Sequence, residues 1–405
     1  MRMQNDIAEE SFSAPDRADA VCSHFASCAG CQLQHLNYAT QLREKEGRLR
    51  ALLDATGLAL PEVQLHPSPP LGYRNRIRLT LAEVDGQLRA GYLRNVESSK
   101  ELGATFLPIT ECPIAAPILW RFTEELLALL NESAGTWLRN PNLVPDQIEI
   151  FTVADESRLQ FTLYLRSSAK SLPKKITAEF NALCEALHTR VAELTGAGIA
   201  LLPPLSKQRS RRNEQPRPGP AWGSSGLIYR VGEVEYWVPR GAFFQVNRFL
   251  IPELLALVTD NRSGQLAFDL YAGVGLFSRS LASRFAHVSA VEIAESAATA
   301  LAATKLKNLH AIKATTLDFL RAATVERDRP ELIVLDPPRT GAGPEVCGVL
   351  ARLASPKLVY VSCSPETLPA DLTTLAASGY RVDELHLFDL FPQTAHIETV
   401  AVLSR

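Results

Sequence analysis

Apolar positions change their spacing twice along this chain. Leu36, Ala39, Leu42, Leu49, Leu52 and Leu53 recur at roughly helical intervals among Arg, Lys and Glu. That spacing predicts one amphipathic helix over 36–56, stopped at Gly57. A proline-rich joint follows at Pro61, Pro67, Pro69 and Pro70. Alternation of period two then takes over. Residues 74–83 and 87–94 flank Asp85-Gly86, a two-residue turn signal, and predict a hairpin. A second alternating pair spans 147–153 and 158–165, and helical spacing returns near 117–131 and 174–192. Hairpins interleaved with helices predict an α+β domain with an antiparallel sheet over about 60–240.

From about residue 242 strands and helices alternate. Strands are predicted at 266–270, 288–292, 331–335, 357–362, 382–389 and 397–403, with helices between them that include 276–284, 294–305, 344–353 and 366–377. This grammar is that of a doubly wound α/β sheet, which takes its ligands at the carboxyl ends of its strands. The stretch 205–225 carries Lys207, Arg209, Arg211, Arg212 and Arg217 among Pro and Gly and reads as an exposed, mobile loop. The expected division is a flexible tail over 1–20, an α+β domain over 21–240 and a doubly wound domain over 241–405, with helix 36–56 docked on the last.

Length and composition narrow the classes. A chain of 405 residues has room for two or three domains, and 46% hydrophobic with 21% charged residues is ordinary globular composition. Lys plus Arg (42) nearly cancels Asp plus Glu (44), so contact with nucleic acid must rest on local patches. Apolar runs fall short of the ~18 residues that span a bilayer. Met1–Glu10 carries Asp6, Glu9 and Glu10 and lacks the apolar core of a signal peptide. A cytoplasmic protein is expected, with no membrane partner and no obligate protein partner.

Several residues can carry chemistry. The strand 266–270 runs into Tyr271-Ala272-Gly273-Val274-Gly275 and then a helix, a turn whose glycines let a ligand approach the backbone. Glu292, about twenty residues on, ends the next strand, where an acid can accept hydrogen bonds from ribose hydroxyls. A dinucleotide and S-adenosylmethionine both use these two features. Asp269 can instead hold the turn, and Ser278 stands where a third glycine would. The seven cysteines are an odd count, which argues for metal or thiolate chemistry over a disulfide framework. Cys22, Cys28 and Cys31 crowd one short loop, and Cys112 could close a set of four sulfurs suited to zinc or to an iron–sulfur cluster; spacing alone favours zinc. Cys184 and Cys347 lie on helical patterns and read as buried filler. Arg74, Arg76 and Arg78 alternate on one strand face as a phosphate track, and Phe243, Phe244 and Tyr271 are stacking aromatics for a flipped base.

Four segments converge: Phe243-Phe244-Gln245-Val246-Asn247, Asp336-Pro337-Pro338-Arg339-x-Gly341, Val361-Ser362-Cys363-Ser364-Pro365-x-Thr367-Leu368, and Phe391-Pro392-Gln393-Thr394-x-His396-Ile397-Glu398. With Gly72-Tyr73-Arg74-Asn75-Arg76 and the cysteine cluster, the chain from about residue 22 onward resembles the RNA uracil-C5 methyltransferase family, which acts on tRNA or 23S ribosomal RNA. The resemblance implies a Rossmann-like methyltransferase domain preceded by an α+β domain that carries a 4Fe-4S cluster on Cys22, Cys28, Cys31 and Cys112. It implies Cys363 as nucleophile and Glu398 as general base. It also implies a pocket for S-adenosylmethionine and uracil lined by Gln245, Tyr271, Gly273, Glu292 and Asp336. Carbon 5 of uracil is too weak a nucleophile to take a methyl group unaided, so a thiolate must add to carbon 6 and a base must later remove the carbon-5 proton.

The chain departs from the family at Ala272, Leu276, Thr315 and Ser364. The cysteine cluster points to 23S rRNA, because bacterial tRNA-modifying relatives generally lack it. About twenty residues precede Cys22, too few for the small β-barrel that some ribosomal members carry, so the target position stays open. The rivals are a tRNA uracil-C5 methyltransferase, an RNA cytosine-C5 methyltransferase with a different nucleophile motif, and a non-catalytic iron–sulfur RNA-binding protein with a degenerate cofactor pocket.

Overall fold

Two large mixed sheets organise the chain, one in each of two units. The computed structural model describes residues 16–98, 101–140, 142–169, 171–205 and 215–405. Within these, one unit holds residues 18–35 and 71–229, and the other holds 16–17, 36–70 and 230–405. The chain enters through α1 (Tyr38–Asp54) and β1 (Val63–His66), which belong to the second unit.

The first unit contains β2 (Arg76–Val84), β3 (Gln87–Ser98), β4 (Glu101–Pro108), α2 (Pro117–Asn131), β5 (Val144–Thr152), β6 (Leu159–Arg166), α3 (Lys174–Arg190), β7 (Leu194–Leu202) and β8 (Arg217–Gly223). Its seven strands run in the order β4-β3-β2-β5-β6-β7-β8, antiparallel except for the β6–β7 pair. Asp85 (φ 52°) and Gly86 (φ 73°) are both left-handed, as a two-residue turn matched to strand twist requires, and Val84 pairs with Gln87 across it. Phe122 of α2 and Phe180 of α3 pack on Phe161 of β6 at ring distances of 5.2 and 6.2 Å.

Two expectations change here. The basic row is not a free phosphate track. Arg76 is largely buried, ion-paired with Glu149 at 3.0 Å and laid over the Phe151 ring at 4.3 Å. Arg78 lies over Tyr164 at 4.2 Å and donates to Gln147 at 2.8 Å. Arg74 precedes β2 altogether and lines a cavity with the cysteines. Alternation does set 76 and 78 on one face, but Glu149 takes up the charge of Arg76 there, and Arg78, though exposed, is laid along Tyr164. The second change concerns 205–225: residues 217–223 form β8, paired antiparallel with β7 at the sheet edge. An edge strand tolerates Pro218 and Pro220, which masked it in the sequence. Lys207, Arg209, Arg211 and Arg212 lie outside the described residues.

Along the chain a short hairpin follows, β9 (Gly226–Val231) with β10 (Val234–Pro239). The second unit continues with α4 (Ile251–Thr259), β11 (Gly264–Leu270), α5 (Leu276–Leu281), β12 (Phe285–Glu292), α6 (Glu295–Ala302) and β13 (Leu309–Lys313). It closes with α7 (Thr316–Glu326), β14 (Leu332–Leu335), α8 (Gly343–Leu353), β15 (Lys357–Ser362), α9 (Leu368–Ala377), β16 (Arg381–Phe388) and β17 (Glu398–Ser404). The eight strands run β1-β16-β17-β15-β14-β11-β12-β13, and β17 alone among them is antiparallel to its neighbours. The sequence missed β1 and β13 because outermost strands are short and half-solvated: only Val63 and Leu309, one residue in each, are fully buried.

Helix α1 starts where Asn37 Oδ1 accepts from Thr40 N at 2.9 Å, which caps an otherwise orphaned donor. Leu49 and Leu53 join the apolar core beneath the sheet. Its buried polar face is unusual. Lys45 Nζ reaches Asp389 at 2.6 Å and the Phe391 carbonyl at 3.0 Å, and both charged side chains are almost wholly removed from water. Burial holds the Lys45 ammonium below its ordinary pKa, and Asp389 opposes that shift. Lys45→Met leaves Asp389 as a buried, unpaired charge and should destabilise the protein by about 3–5 kcal/mol. In urea unfolding the midpoint should fall with little change in slope, and Lys45→Met/Asp389→Leu should recover most of the loss.

Candidate active site

The carboxyl edge of the second unit's sheet gathers the chemistry-bearing residues. Strands β15 and β17 pair antiparallel with Ser362 opposite Thr399, so Cys363, just past the end of β15, comes beside Glu398, the first residue of β17. Phe388 at the end of β16 pairs with Glu398 from the other side. Asp336 follows β14, whose Leu335 pairs with Tyr360 of β15 and with Leu270 of β11. Gln245 is buried and reaches Asp336 through Nε2 at 3.4 Å. Residues more than a hundred positions apart thus meet along one edge.

Their charges act on one another. Burial, then the neighbouring Glu398 and Asp336, push the Cys363 thiol up to about 12, and Arg339 opposes the rise. Glu398 is 2% exposed, and burial followed by Asp336 raises its carboxyl well above the ordinary range, again against Arg339. Asp336 is pushed up to about 7 by burial and by Asp269. Like charges crowded in a low-dielectric site cannot all ionise. The protein therefore holds Cys363 as a thiol, beside carboxyls with raised proton affinity.

The glycine turn lies at the sheet's switch point, between β11 and β14, where the strand order reverses. Tyr271 (φ 61°), Gly273 (φ 57°) and Gly275 (φ 91°) are all left-handed. A Cβ at Gly275 would fall 2.6 Å from Leu301, whereas the space beside Gly273 is open. Asp269 is fully buried and accepts from the Ser278 backbone N–H at 2.8 Å and from the Ser278 hydroxyl. It holds the turn. Its other oxygen has no hydrogen-bond partner among the described residues, and burial pushes the group up to about 7. Glu292 accepts from Gly273 N at 2.9 Å and Ala294 N at 2.6 Å. An open glycine cradle, an orphaned buried carboxylate oxygen and an acid at the second strand's end fit the adenosine and amino-acid parts of S-adenosylmethionine.

One other expectation needs revision, and one departure from the family finds a local role. Phe244 is 2% exposed and packs on Tyr236 at 5.9 Å, so it is core and cannot stack on a base; Phe243 is 63% exposed. Thr315 caps α7 by accepting from Asp318 N at 3.1 Å and donating to the Asp318 carboxylate at 2.6 Å. Sequence reasoning quoted Arg339 in its motif without a role, and missed it as the cation that offsets Glu398 and Cys363.

The first unit gathers the other predicted group. Cys22, Cys28, Cys31 and Cys112 line one cavity of about 70 Å³ together with Arg74 and Tyr92. The loop is stapled to residues 110–111: Thr110 N donates to His24 Nε2 at 2.9 Å, and Ser23 N to Glu111 at 2.6 Å. Cys22 N donates to Gln34 at 3.0 Å. Burial raises the Cys22 and Cys31 thiols and pushes Cys112 up to about 11, with neighbouring cysteines adding to each shift. Arg74 Nε is buried with no partner among the described residues. Among those residues, no three His, Cys, Asp or Glu side chains already stand close enough together to hold a metal ion. The donor set itself, four thiols facing one small cavity beside a cation, fits a thiolate-bound metal centre. Cys184 and Cys347 are buried in the cores.

A mixed eight-stranded sheet with a glycine turn at its switch point and a thiol–carboxylate pair at one edge defines an α/β methyltransferase fold. The family model described as tRNA (Uracil-5-)-methyltransferase matches residues 227–405. The chain is 31% identical to the 23S rRNA (uracil(1939)-C(5))-methyltransferase RlmD of Pseudomonas entomophila, over 96% of this chain and 81% of that protein. It is 28% identical to the tRNA (uracil(54)-C(5))-methyltransferase of Pyrococcus abyssi, over 96% and 87%. The crystal structure of the Pyrococcus abyssi enzyme in complex with S-adenosyl-L-homocysteine shares the fold, with a TM-score of 0.67 at 24% identity over 93% of this chain and 86% of that one. The chain belongs to the RNA uracil-C5 methyltransferase family. It is an S-adenosylmethionine-dependent enzyme acting on RNA. Among the described residues no helix is long and apolar enough to cross a membrane.

The electrostatics predict how Cys363 reacts in the free enzyme. An ionised Glu398 raises the thiol's pKa, so Glu398→Gln removes one raising cause and must move the titration to lower pH. Iodoacetamide alkylation, taken as the difference between wild type and Cys363→Ala, should still be climbing at about pH 10 in the wild type. In Glu398→Gln it should level off earlier. Identical profiles would separate the two groups.

Proposed function

We propose that the enzyme methylates carbon 5 of a uridine in 23S rRNA, with Cys363 as nucleophile and Glu398 as general base. The observation that carries this reading is the β15–β17 pairing, which sets a thiol and a buried carboxylate side by side at the ligand-binding edge. The ionised thiol of Cys363 adds to carbon 6 of uracil; a carbon–sulfur bond forms and the ring's electron pair shifts toward carbon 5. Bound S-adenosylmethionine would supply an electrophilic methyl group; as carbon 5 bonds to it, the sulfonium's methyl–sulfur bond breaks and S-adenosylhomocysteine leaves. Glu398 then takes the carbon-5 proton, the 5,6 double bond re-forms and the thiolate leaves. Its raised proton affinity makes Glu398 a stronger base once ionised. Gln245, Tyr271, Gly273, Glu292 and Asp336 hold the cofactor and the base, and the exposed Phe243 and part-buried Tyr271 are the aromatics left for stacking.

Cys22, Cys28, Cys31 and Cys112 hold a 4Fe-4S cluster in this reading, supported by the shared cavity and the all-thiol donor set. The ribosomal target is supported by that quartet and by the 31% identical relative that acts on 23S rRNA. A tRNA target is the second reading, favoured by the relative that acts on uracil 54 of tRNA.

Unmodified 23S rRNA and tRNA transcripts, incubated with the enzyme and S-adenosylmethionine, test the function directly. 5-Methyluridine should appear in the ribosomal transcript; appearance in tRNA alone would overturn the target. On the responsive RNA, Cys363→Ala should give neither product nor covalent adduct. Glu398→Gln should remain attached to methylated RNA as a slow band on a denaturing gel, because elimination needs the carbon-5 proton gone.

Anaerobically purified enzyme should be brown and contain iron and acid-labile sulfide in equal amounts, and Cys112→Ser should lose both. Stoichiometric zinc without sulfide would replace the cluster by a structural zinc site.

A further inference from the structure

One side chain on α1 joins the two loops that carry the reacting groups. Arg48 Nη1 donates to the Ala395 carbonyl at 3.1 Å, and Nη2 pairs with Glu366. Glu366 stands three residues after Cys363, and Ala395 stands three residues before Glu398. The other Glu366 oxygen accepts from the Ser364 hydroxyl at 3.2 Å, which brings the contact to within one residue of the nucleophile.

Neighbouring positions on the same helix face make a related set of bonds. Gln41 and Gln393 exchange two hydrogen bonds, Nε2 to Oε1 at 2.9 Å and Gln393 N to Gln41 Oε1 at 3.0 Å. Lys45 binds Asp389 and the Phe391 carbonyl. Positions 41, 45 and 48 follow the four-and-three spacing of one helical stripe. Gln41 and Lys45 hold the segment 389–393 that leads toward β17. Arg48 binds Ala395, farther along the same connection, and also the loop after β15.

We propose that Arg48 is a positioning residue that fixes the nucleophile loop against the general-base loop; the proposal rests on the assignment of Cys363 and Glu398 above. The two groups act on adjacent ring atoms, carbon 6 and carbon 5, of one substrate. Addition requires the sulfur in line with carbon 6, and elimination requires the carboxylate near the proton on carbon 5. Their relative placement therefore enters the rate directly, and a misplacement of about 1 Å can cost about a hundredfold. Stability depends on Arg48 far less. Its side chain is 37% exposed and that of Glu366 29%, and an ion pair so open to water adds little to folding. Rate and stability should part company at this residue.

The test uses full-length enzyme, S-adenosylmethionine and the 23S rRNA transcript, with Arg48→Met, Arg48→Lys, Glu366→Gln and the double variant Arg48→Met/Glu366→Gln. Arg48→Met should lower kcat about tenfold or more, by the relation of ~1.4 kcal/mol to a factor of ten. KM for RNA and the melting midpoint should stay near wild type. A larger share of enzyme should be caught as covalent RNA adduct on a denaturing gel, since elimination suffers when the base is displaced. Arg48→Lys should restore part of the rate. Glu366→Gln removes the partner without touching α1 and should reproduce the defect, and the double variant should be no slower than the worse single one. A wild-type kcat in Arg48→Met, a loss confined to KM, or multiplicative single effects would overturn the proposal. Continued methylation by Cys363→Ala would instead overturn the reading of the site, whatever Arg48 does.

Discussion

The pairing of β17 between β15 and β16 is the constraint on which the active edge depends. Parallel strands send their carboxyl ends to one side of a sheet, and a site built only from them would draw every side chain from the loop after a strand. An antiparallel strand inserted among them presents its amino end at that edge. Here the first residue of β17 is Glu398, and its neighbour past the end of β15 is Cys363. A register slip of one residue would turn Glu398 to the opposite face of the sheet and leave the thiol without its carboxylate. The placement of this thiol–carboxylate pair and the ladder register are therefore one property.

Burial then sets the chemistry of what the ladder has brought together. Glu398, Asp336 and Asp269 are carboxylates in a region poor in solvent, and each is driven toward its protonated form. Such crowding destabilises the Cys363 thiolate. It also means that a cationic group entering the site changes the proton affinity of several residues together, because each is coupled to the next. Arg339, exposed but close enough to act on both Cys363 and Glu398, supplies a permanent positive field. Burial and the neighbouring carboxyls thus favour the thiol of Cys363 over its thiolate.

Helix α1 shows how a segment remote in sequence becomes part of this edge. Its apolar residues Leu49 and Leu53 enter the core under the sheet, as a helix of this periodicity must. Its polar residues Gln41, Lys45 and Arg48 hold the backbone that precedes β17. In the loop 389–397, Asp389 N donates to the His66 carbonyl of β1 at 3.0 Å, and side chains from the helix supply hydrogen bonds to Asp389, Phe391, Gln393 and Ala395 beyond it.

Long periodic elements were legible in the sequence because each buries one face. Helix α2 ends at the residues its spacing marks, and the Asp85-Gly86 turn has the left-handed backbone its composition calls for. The residues proposed to react, Cys363 and Glu398, were singled out through motif resemblance. Short edge strands were not, since β1, β8 and β13 lack the buried run that would announce them. Burial of Arg76 was equally invisible, because alternation fixes which face a side chain takes but not whether Glu149 and Phe151 wait on that face. The sequence by itself determined the alternation of elements, the glycine turn and the identity of the thiol and the acids. Only the tertiary structure decided that Cys363 meets Glu398, that Arg339 offsets both and that Arg48 joins their loops. Those residues stand from 24 to 347 positions apart in the chain, and local propensity carries no information about which distant partners the folded sheet brings within reach.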